Sequence, residues 1–413
     1  MHHTRIQYLA VFLLCLIFAG CGTNQPQAVL PQEPDLPQIE QPKSQPKPEL
    51  VMESGSIPEP VPEIELKPEP DPISIRITAA GDNLLHNTVS FACALPEGGY
   101  DFHPVYENIK KIIAGSDIAF INQEVMLTGE AGSYPNLAAP TENADALTAA
   151  GFNVINLATN HTLDKGVSGL ETCLGTVHAQ PFEAILGAFR TEEESTQLCI
   201  LEKQGIRFGF LSYTYGLNGY RLPEDKQWKI ALIDEAKIQN DLEAIRPECD
   251  YLIVSMHWGN EYQTTESSYQ NELAQLLCDG GADLIIGTHP HVLQPMKWLE
   301  REDGHKTLCA YSLGNFVSNQ HKRATMLGGI LEVELLFDEA GTLLETSSAG
   351  VIPTVTHYKK GHYTIYQLSE YNDELAAEHG MQGYETPFNM TYLTELSNKI
   401  LGENAITWES EHD

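Results

Sequence analysis

The chain has 413 residues, room for one large domain or two smaller ones, and 42% of them are hydrophobic, enough for a sizeable core. It carries 57 Asp and Glu against 24 Lys and Arg, a formal net charge of -33 at pH 7. That charge repels nucleic acid, which is set aside as a partner. It also repels a polyanionic substrate unless a bound cation reverses the local field. Most of the acidity reads as solvated surface.

The first residues read as an export signal. The stretch YLAVFLLCLIFAGC, ending at Cys21, is apolar, closes on small residues and is shorter than a membrane span. Its end, FAGC, resembles a bacterial lipobox, in which Cys21 is lipidated and becomes the new N-terminus. Phe18 stands where Leu is commoner, and Arg5 is the one charge before the run. A cleaved signal without lipid, or an uncleaved anchor, are the other readings. Lipidation places the protein outside the cytoplasm, anchored to the bacterial cell membrane. Residues 22–72 are rich in Pro, Glu and Gln and nearly free of aromatics. Such a run cannot bury enough apolar surface to offset chain entropy, and its prolines favour an extended form. It reads as a disordered tether.

Folded structure is expected from residue 73, with a first domain to 335 and a hairpin and helical extension over 336–413. Short apolar runs read as strands: SIRITAAG, DIAFIN, FNVINLA, RFGFLSY, DYLIVSMH, DLIIGTH and LCAYSLGNF. Between several of them lie helical stretches, NADALTAAG, DEAKIQNDLEAIRP and SYQNELAQLLCDGG. In the last, Leu273, Leu276 and Leu277 keep helical spacing and Gly280 and Gly281 stop it. The alternation predicts an α/β fold, with helices against a largely buried sheet. Residues 328–356 read as a hairpin or meander, and 391–402 as a helix. The six cysteines from Cys93 to Cys309 show no CxxC spacing and are read either as partly paired or as buried thiols.

The informative pattern is positional. Strand-like runs end in residues able to bind metal: Asp82 and His86; Asn122 and Glu124; Asn160, His161 and Asp164; His257 and Glu261; His289 and His291. Carboxyl ends of strands form the ligand-binding edge of α/β sheets. Five segments therefore deliver carboxylates, amides and imidazoles to one edge. Mixed nitrogen and oxygen donors suit Zn, Mn or Fe better than Ca or Mg, and the set has the composition of a site for two divalent metal ions. The pair His289 and His291 would let one turn reach both ions, with Pro290 stiffening it.

The motifs GDNLLH, NQE, NHTLDKG, HWGNEY, GTHPHVLQP and SLGNF together resemble the CapA family, the capsule-synthesis and poly-γ-glutamate branch of the calcineurin-like metallophosphoesterases. The resemblance covers residues 73–335 and implies a four-layer α/β/β/α sandwich with a two-metal site at the strand ends. It implies metal ligation by Asp82, Glu124, Asn160, His257, His289 and His291. Glu124 stands where the superfamily has a bridging Asp. His86 is also read as a ligand, although it lies four residues after Asp82 where the superfamily has Asp-x-His. His161 takes the place of the general acid. Asp164 either orients His161 or caps the following helix. Glu261 is read as a ligand, a partner to one, or a substrate contact. Asn315 either lines the pocket or serves a turn. Tyr213, Tyr215 and Asn218 either contact substrate or end a strand. Trp258 and Trp298 are read as packing residues.

Two functions follow as expectations. The first is a cell-surface hydrolase acting on a phosphoester or related polar bond, with His161 protonating the leaving group. The second is a non-catalytic polymer-binding or scaffold lipoprotein that works with a membrane-bound polymer synthase. An anionic polymer or a phosphoester is the expected partner in either case.

Overall fold

The computed structural model describes residues 71–408. Cys21 and its lipobox-like segment, and the Pro-rich run as far as residue 70, lie outside the described residues. The chain lays down four strands, β1 (Ile73–Asn83), β2 (Ile118–Asn122), β3 (Val154–Asn156) and β4 (Ala184–Leu186), as one half of a sheet. It then builds a whole second sheet from β5 (Cys199–Lys203), β6 (Ile206–Thr214), β7 (Tyr251–His257), β8 (Leu284–Thr288), β9 (Met296–Glu300) and β10 (Lys306–Ala310). Finally it returns to the first sheet with β11 (Asn315–Val317), β12 (Leu327–Phe337), β13 (Leu343–Lys359) and β14 (His362–Gln367).

The first sheet runs β14-β13-β12-β1-β2-β3-β4, with β11 beside the end of β1; the second runs β5-β6-β7-β8-β10-β9. β1 to β4 are parallel neighbours, as are β6, β7 and β8. The boundary read at residue 335 falls within β12, which pairs with β1 from Ile73 to Ala80.

Strand alternation explains the layering. Along β7, Ile253 joins the core shared by the two sheets with Phe208, Phe210, Leu284, Ile77 and Phe120. Leu252, Val254 and Met256 face the other way, onto Ile238, Leu242 and Ile245 of the helix Glu235–Ile245 and onto Leu273 and Leu277 of the helix Ser268–Asp279. Helices Lys110–Ala114, Asn143–Ala150 and Gly166–His178 cover the first sheet, burying Ile112, Leu147 and Leu174. The result is the α/β/β/α sandwich. Local capping fits: Asp234 accepts from the Lys237 amide, and Ser267 with Gln270 forms a capping box. All six cysteines of the described residues are free thiols.

One reading is corrected. LCAYSLGNF is not a single strand. Leu308–Ala310 lies in β10 of the second sheet, whereas Asn315 and Phe316 lie in β11 of the first. Residues 311–314 carry the chain between sheets, and both sheets press on them. A Cβ on Gly287 would sit 2.0 Å from the Tyr311 carbonyl oxygen, and one on Gly81 would sit 2.0 Å from that of Gly314. An apolar run interrupted by Ser312 and Gly314 carries no periodicity that marks such a crossing.

Gly287→Ala should therefore lower the unfolding free energy by roughly 1–3 kcal/mol through overpacking. Gly175→Ala, on an exposed turn of the helix Gly166–His178 where an added Cβ meets nothing within 4 Å, should raise it by roughly 0.5–1 kcal/mol. Urea denaturation of both variants measures this. Wild-type stability in Gly287→Ala would contradict the close approach.

Candidate metal and catalytic site

The site starts from a row of polar residues where parallel strands end side by side. Asn156 of β3, Asn122 of β2, Asp82 of β1 and Asn315 of β11 are successive register partners, and all are buried. Asn156 Nδ2 donates to Asn122 Oδ1 at 2.7 Å, and Asn122 Nδ2 donates to Asp82 Oδ1 at 2.9 Å. Ser212 of β6 donates its hydroxyl to Asn156 Oδ1 and so ties the row to the second sheet. The β1–β2 register shifts between Ala80 and Asp82. Gly81 is the extra residue, and such a shift re-aims the side chain that follows.

The turn after β8 docks on this row. The backbone amide of His289 donates to Asp82 Oδ1 at 3.2 Å. His291 Nδ1 lies 3.0 Å from Asp82 Oδ2 and 3.1 Å from Asn315 Oδ1. Both of those oxygens are acceptors, so Nδ1 carries the proton and Nε2 is left to face Glu124, 3.6 Å from its Oε1. His289 and His291 have φ of 95° and 60°, in the left-handed region that β-carbon-bearing residues avoid. Their ring centroids stand 5.8 Å apart. Backbone strain at two imidazoles in one turn marks a place where position matters more than local preference.

Glu124 follows β2 and is fully buried, yet neither carboxylate oxygen has a hydrogen-bond partner among the described residues. The Nδ1 atom of buried His289 is likewise without one. Donor atoms of Glu124, His289 and His291 all lie within 4.8 Å of one another, and His257 Nε2 is 3.9 Å from Glu124 Oε1. Burial pushes the Glu124 carboxyl well above its ordinary range; His291 opposes the rise, and Asp82 and Glu261 add to it. For His291 burial works to lower the pKa, but the carboxylates of Glu124 and Asp82 outweigh it and raise it to about 9. Both shifts record one condition, buried negative charge short of positive charge. His257 and His289 are held well below the ordinary histidine value, by burial first and by neighbouring imidazoles second, and stay neutral. Neutral imidazoles with an unpartnered carboxylate are what a divalent cation requires of its ligands. The donor set fits such an ion.

Asn160 and His257 close the other side. The His257 Nε2 atom is 2.8 Å from Asn160 Oδ1, and its Nδ1 is 2.9 Å from Thr288 Oγ1. Asn160 Oδ1 only accepts, so Nε2 carries the proton here and Nδ1 accepts from the Thr288 hydroxyl. Asn160 Nδ2 donates to Asn218 Oδ1 at 3.0 Å. Beside them His161 Nδ1 donates to Asp164 Oδ2 at 2.7 Å, which aims the opposite ring nitrogen away from Asp164. Asp164 Oδ2 also accepts from the Leu137 amide at 2.8 Å. The helix that follows begins at Gly166 with Lys165 as its N-cap, so Asp164 orients His161 and does not cap that helix.

The structure thus gathers Asp82, Glu124, Asn160, His161, Asp164, Asn218, His257, His289, His291 and Asn315. His86 stands at the edge, half-buried, with Nδ1 near Leu84 O and the Asn319 amide. Burial, reinforced by His291, lowers its pKa to about 4. Glu261 is exposed at the rim. Tyr213 is a correction: it is not at the site. It lies on the odd-numbered, helix-facing side of β6 and donates its hydroxyl to Asp241 Oδ2 at 2.6 Å. Tyr215, beyond the strand end, is the tyrosine that reaches the site, its ring 4.5 Å from that of His289. Trp258 is buried and packs on Tyr311, whereas Trp298 is half exposed. Asn156, Thr288 and Tyr262 are further contacts; Asn156 and Thr288 end strands in the same manner as the residues singled out from sequence.

The family described as bacterial capsule synthesis protein PGA_cap matches residues 76–320. The PGA biosynthesis protein CapA of Bacillus subtilis (strain 168) is 28% identical over 245 residues, covering 56% of this chain and 61% of its own length. The capsule biosynthesis protein CapA of Bacillus anthracis is 29% identical over 205 residues, 48% of each chain. The chain therefore spans about half to three fifths of the length of these curated relatives. Among solved structures, the calcineurin-like phosphoesterase YfkN from Bacillus subtilis superposes with a TM-score of 0.40 at 15% identity, over 80% of this chain and 97% of that one.

Glu124→Gln removes the unpaired charge and keeps the shape. In chelator the variant should melt at or above the wild-type temperature. Added Mn or Zn should raise the wild-type midpoint and leave that of the variant unchanged, because only binding to the folded state shifts stability. Calorimetry with and without metal measures this. Equal metal-induced shifts would remove Glu124 from the ligand set.

Proposed function

The chain belongs to the bacterial capsule synthesis protein PGA_cap family, and on that premise we propose that it is a metal-dependent hydrolase of a phosphoester or related polar bond, acting in production of a cell-surface polymer. The observation that carries this reading is the buried, unpartnered Glu124 carboxylate among His257, His289 and His291, next to an imidazole already paired with its own carboxylate.

Asp82, Glu124, Asn160, His257, His289 and His291 would hold two divalent ions, with His86 at the edge. The chemistry that bound ions supply at such a site is neutralisation of phosphoryl charge and a lowered pKa for water. Asp82 holds its place through Asn122 and the His289 amide, and it fixes the tautomer of His291. In its doubly protonated form His161 would keep its Nδ1 proton on Asp164 and give the proton of the opposite ring nitrogen to the leaving oxygen, ending as the neutral imidazole. Asn218 holds Asn160 and lies 3.3 Å from His161 Nδ1, linking ligand and acid. Tyr215, Glu261 and Asn218 form the rim that substrate meets.

The names of the two relatives support poly-γ-glutamate or capsule as the setting. The sequence FAGC supports a lipid anchor at Cys21, with residues 22–72 as spacer and a membrane-bound synthase as partner. No helix of the described residues is long and apolar enough to cross a membrane.

His161→Ala should lower kcat roughly 10²- to 10⁴-fold on alkyl phosphates. The loss should be much smaller on 4-nitrophenyl phosphate, whose leaving group needs no proton, and metal content should not change. Steady-state kinetics on both esters measures this. Equal losses would remove His161 as the acid. No turnover of any ester by metal-loaded wild type would leave a polymer-binding, non-catalytic role.

A further inference from the structure

The segment Ser318–Arg323 is built against the site at several points. The Asn319 amide donates to His86 Nδ1 at 3.3 Å, and Tyr363 donates its hydroxyl to Asn319 Oδ1 at 2.6 Å. Asn315, itself on His291, donates to Gln320 Oε1 at 3.0 Å, and Gln320 reaches the Tyr262 hydroxyl at 3.3 Å. Tyr262 has φ of 65°, donates its amide to Pro290 O at 2.8 Å, and sets its ring 6.2 Å from that of His291.

Three consecutive residues of this segment can carry positive charge, and two are engaged. The His321 ring stacks on Tyr384 at 3.7 Å. Arg323 pairs with Glu385, donates to Pro387 O and lies over Tyr392. Lys322 is exposed and has no carboxylate within ion-pair distance among the described residues. Its Nζ sits 3.4 Å from the centre of the Tyr262 ring. That contact holds the ammonium in place while leaving its protons free for an incoming acceptor. An unpaired lysine is notable in a chain with 57 acidic residues against 24 basic ones. This one is separated from a proposed metal ligand by a single aromatic ring. Glu261 acts on Tyr262 and Glu124 from the neighbouring position, so the mouth is negative there and positive at Lys322.

We propose that Lys322, seated on Tyr262, forms a subsite for a second anionic group of the substrate, so that the site selects molecules carrying a carboxylate or phosphate a few bonds away from the reacting one. This rests on the metal-site reading above and narrows its substrate class. An extended molecule would place one anionic group among the His289 and His291 ligands and the next over Tyr262. Lys322 is a specificity residue here and takes no part in bond breaking.

The test is calorimetric binding to metal-loaded protein of three probes, each used as its non-hydrolysable phosphonate isostere: butyl phosphate, 4-carboxybutyl phosphate and 1,4-butanediol bisphosphate. Wild type should bind the two doubly anionic probes more tightly than butyl phosphate, with a steeper salt dependence. Lys322→Gln should weaken one or both of them roughly three- to fivefold and leave butyl phosphate unchanged. Lys322→Arg should keep the preference. A loss for the carboxylate probe alone, or for the bisphosphate alone, identifies the second group. Equal weakening of all three probes, or no preference in wild type, overturns the subsite and leaves the metal site standing. Binding of none of them by metal-loaded wild type overturns both.

Discussion

A carboxylate buried without a partner is the constraint on which this fold's polar edge depends. Glu124 is fully buried with both oxygens unbonded among the described residues. Desolvating a carboxylate costs several kcal/mol unless charge or hydrogen bonds compensate it. His291 supplies part of the compensation, and it can do so only because Asp82 and Asn315 hold its other nitrogen. Asp82 in turn is held by the amide row from Asn156 through Asn122. The strain at His289 and His291 is sustained by the same contacts. The whole arrangement is a buried donor set that fits a cation.

The two sheets make that arrangement possible because they share an edge. β1 and β8 end against one another, joined where the His289 amide meets Asp82. The chain passes from sheet to sheet through Tyr311–Gly314, and Gly81 and Gly287 give it room. The proposed metal ligands therefore come from both sheets, Asp82 and Glu124 from the first, His257, His289 and His291 from the second. A site assembled in this way exists only when the sandwich is closed, which couples packing to function.

Much of this was legible in sequence, for a physical reason. A buried parallel strand is apolar along its length, so polar residues at its end are conspicuous, and five such ends were visible as Asp82, Glu124, Asn160, His257 and His289 with their neighbours. What sequence concealed was facing and crossing. Tyr213 and Tyr215 both lie near a strand end, but the two-residue alternation of β6 sends Tyr213 to the helices. LCAYSLGNF reads as continuous while it changes sheets. Lys322 and Tyr262 are sixty positions apart, and only the fold brings them together.

The most direct measurement is the metal content of purified protein, by elemental mass spectrometry, for wild type and for the combined His289→Ala, His291→Ala variant. About two transition-metal ions per wild-type chain, largely lost in the double variant, is the expected result for a two-metal site. Wild type that retains no metal after reconstitution, while folded, would contradict the hydrolase site and leave a polymer-binding protein in its place.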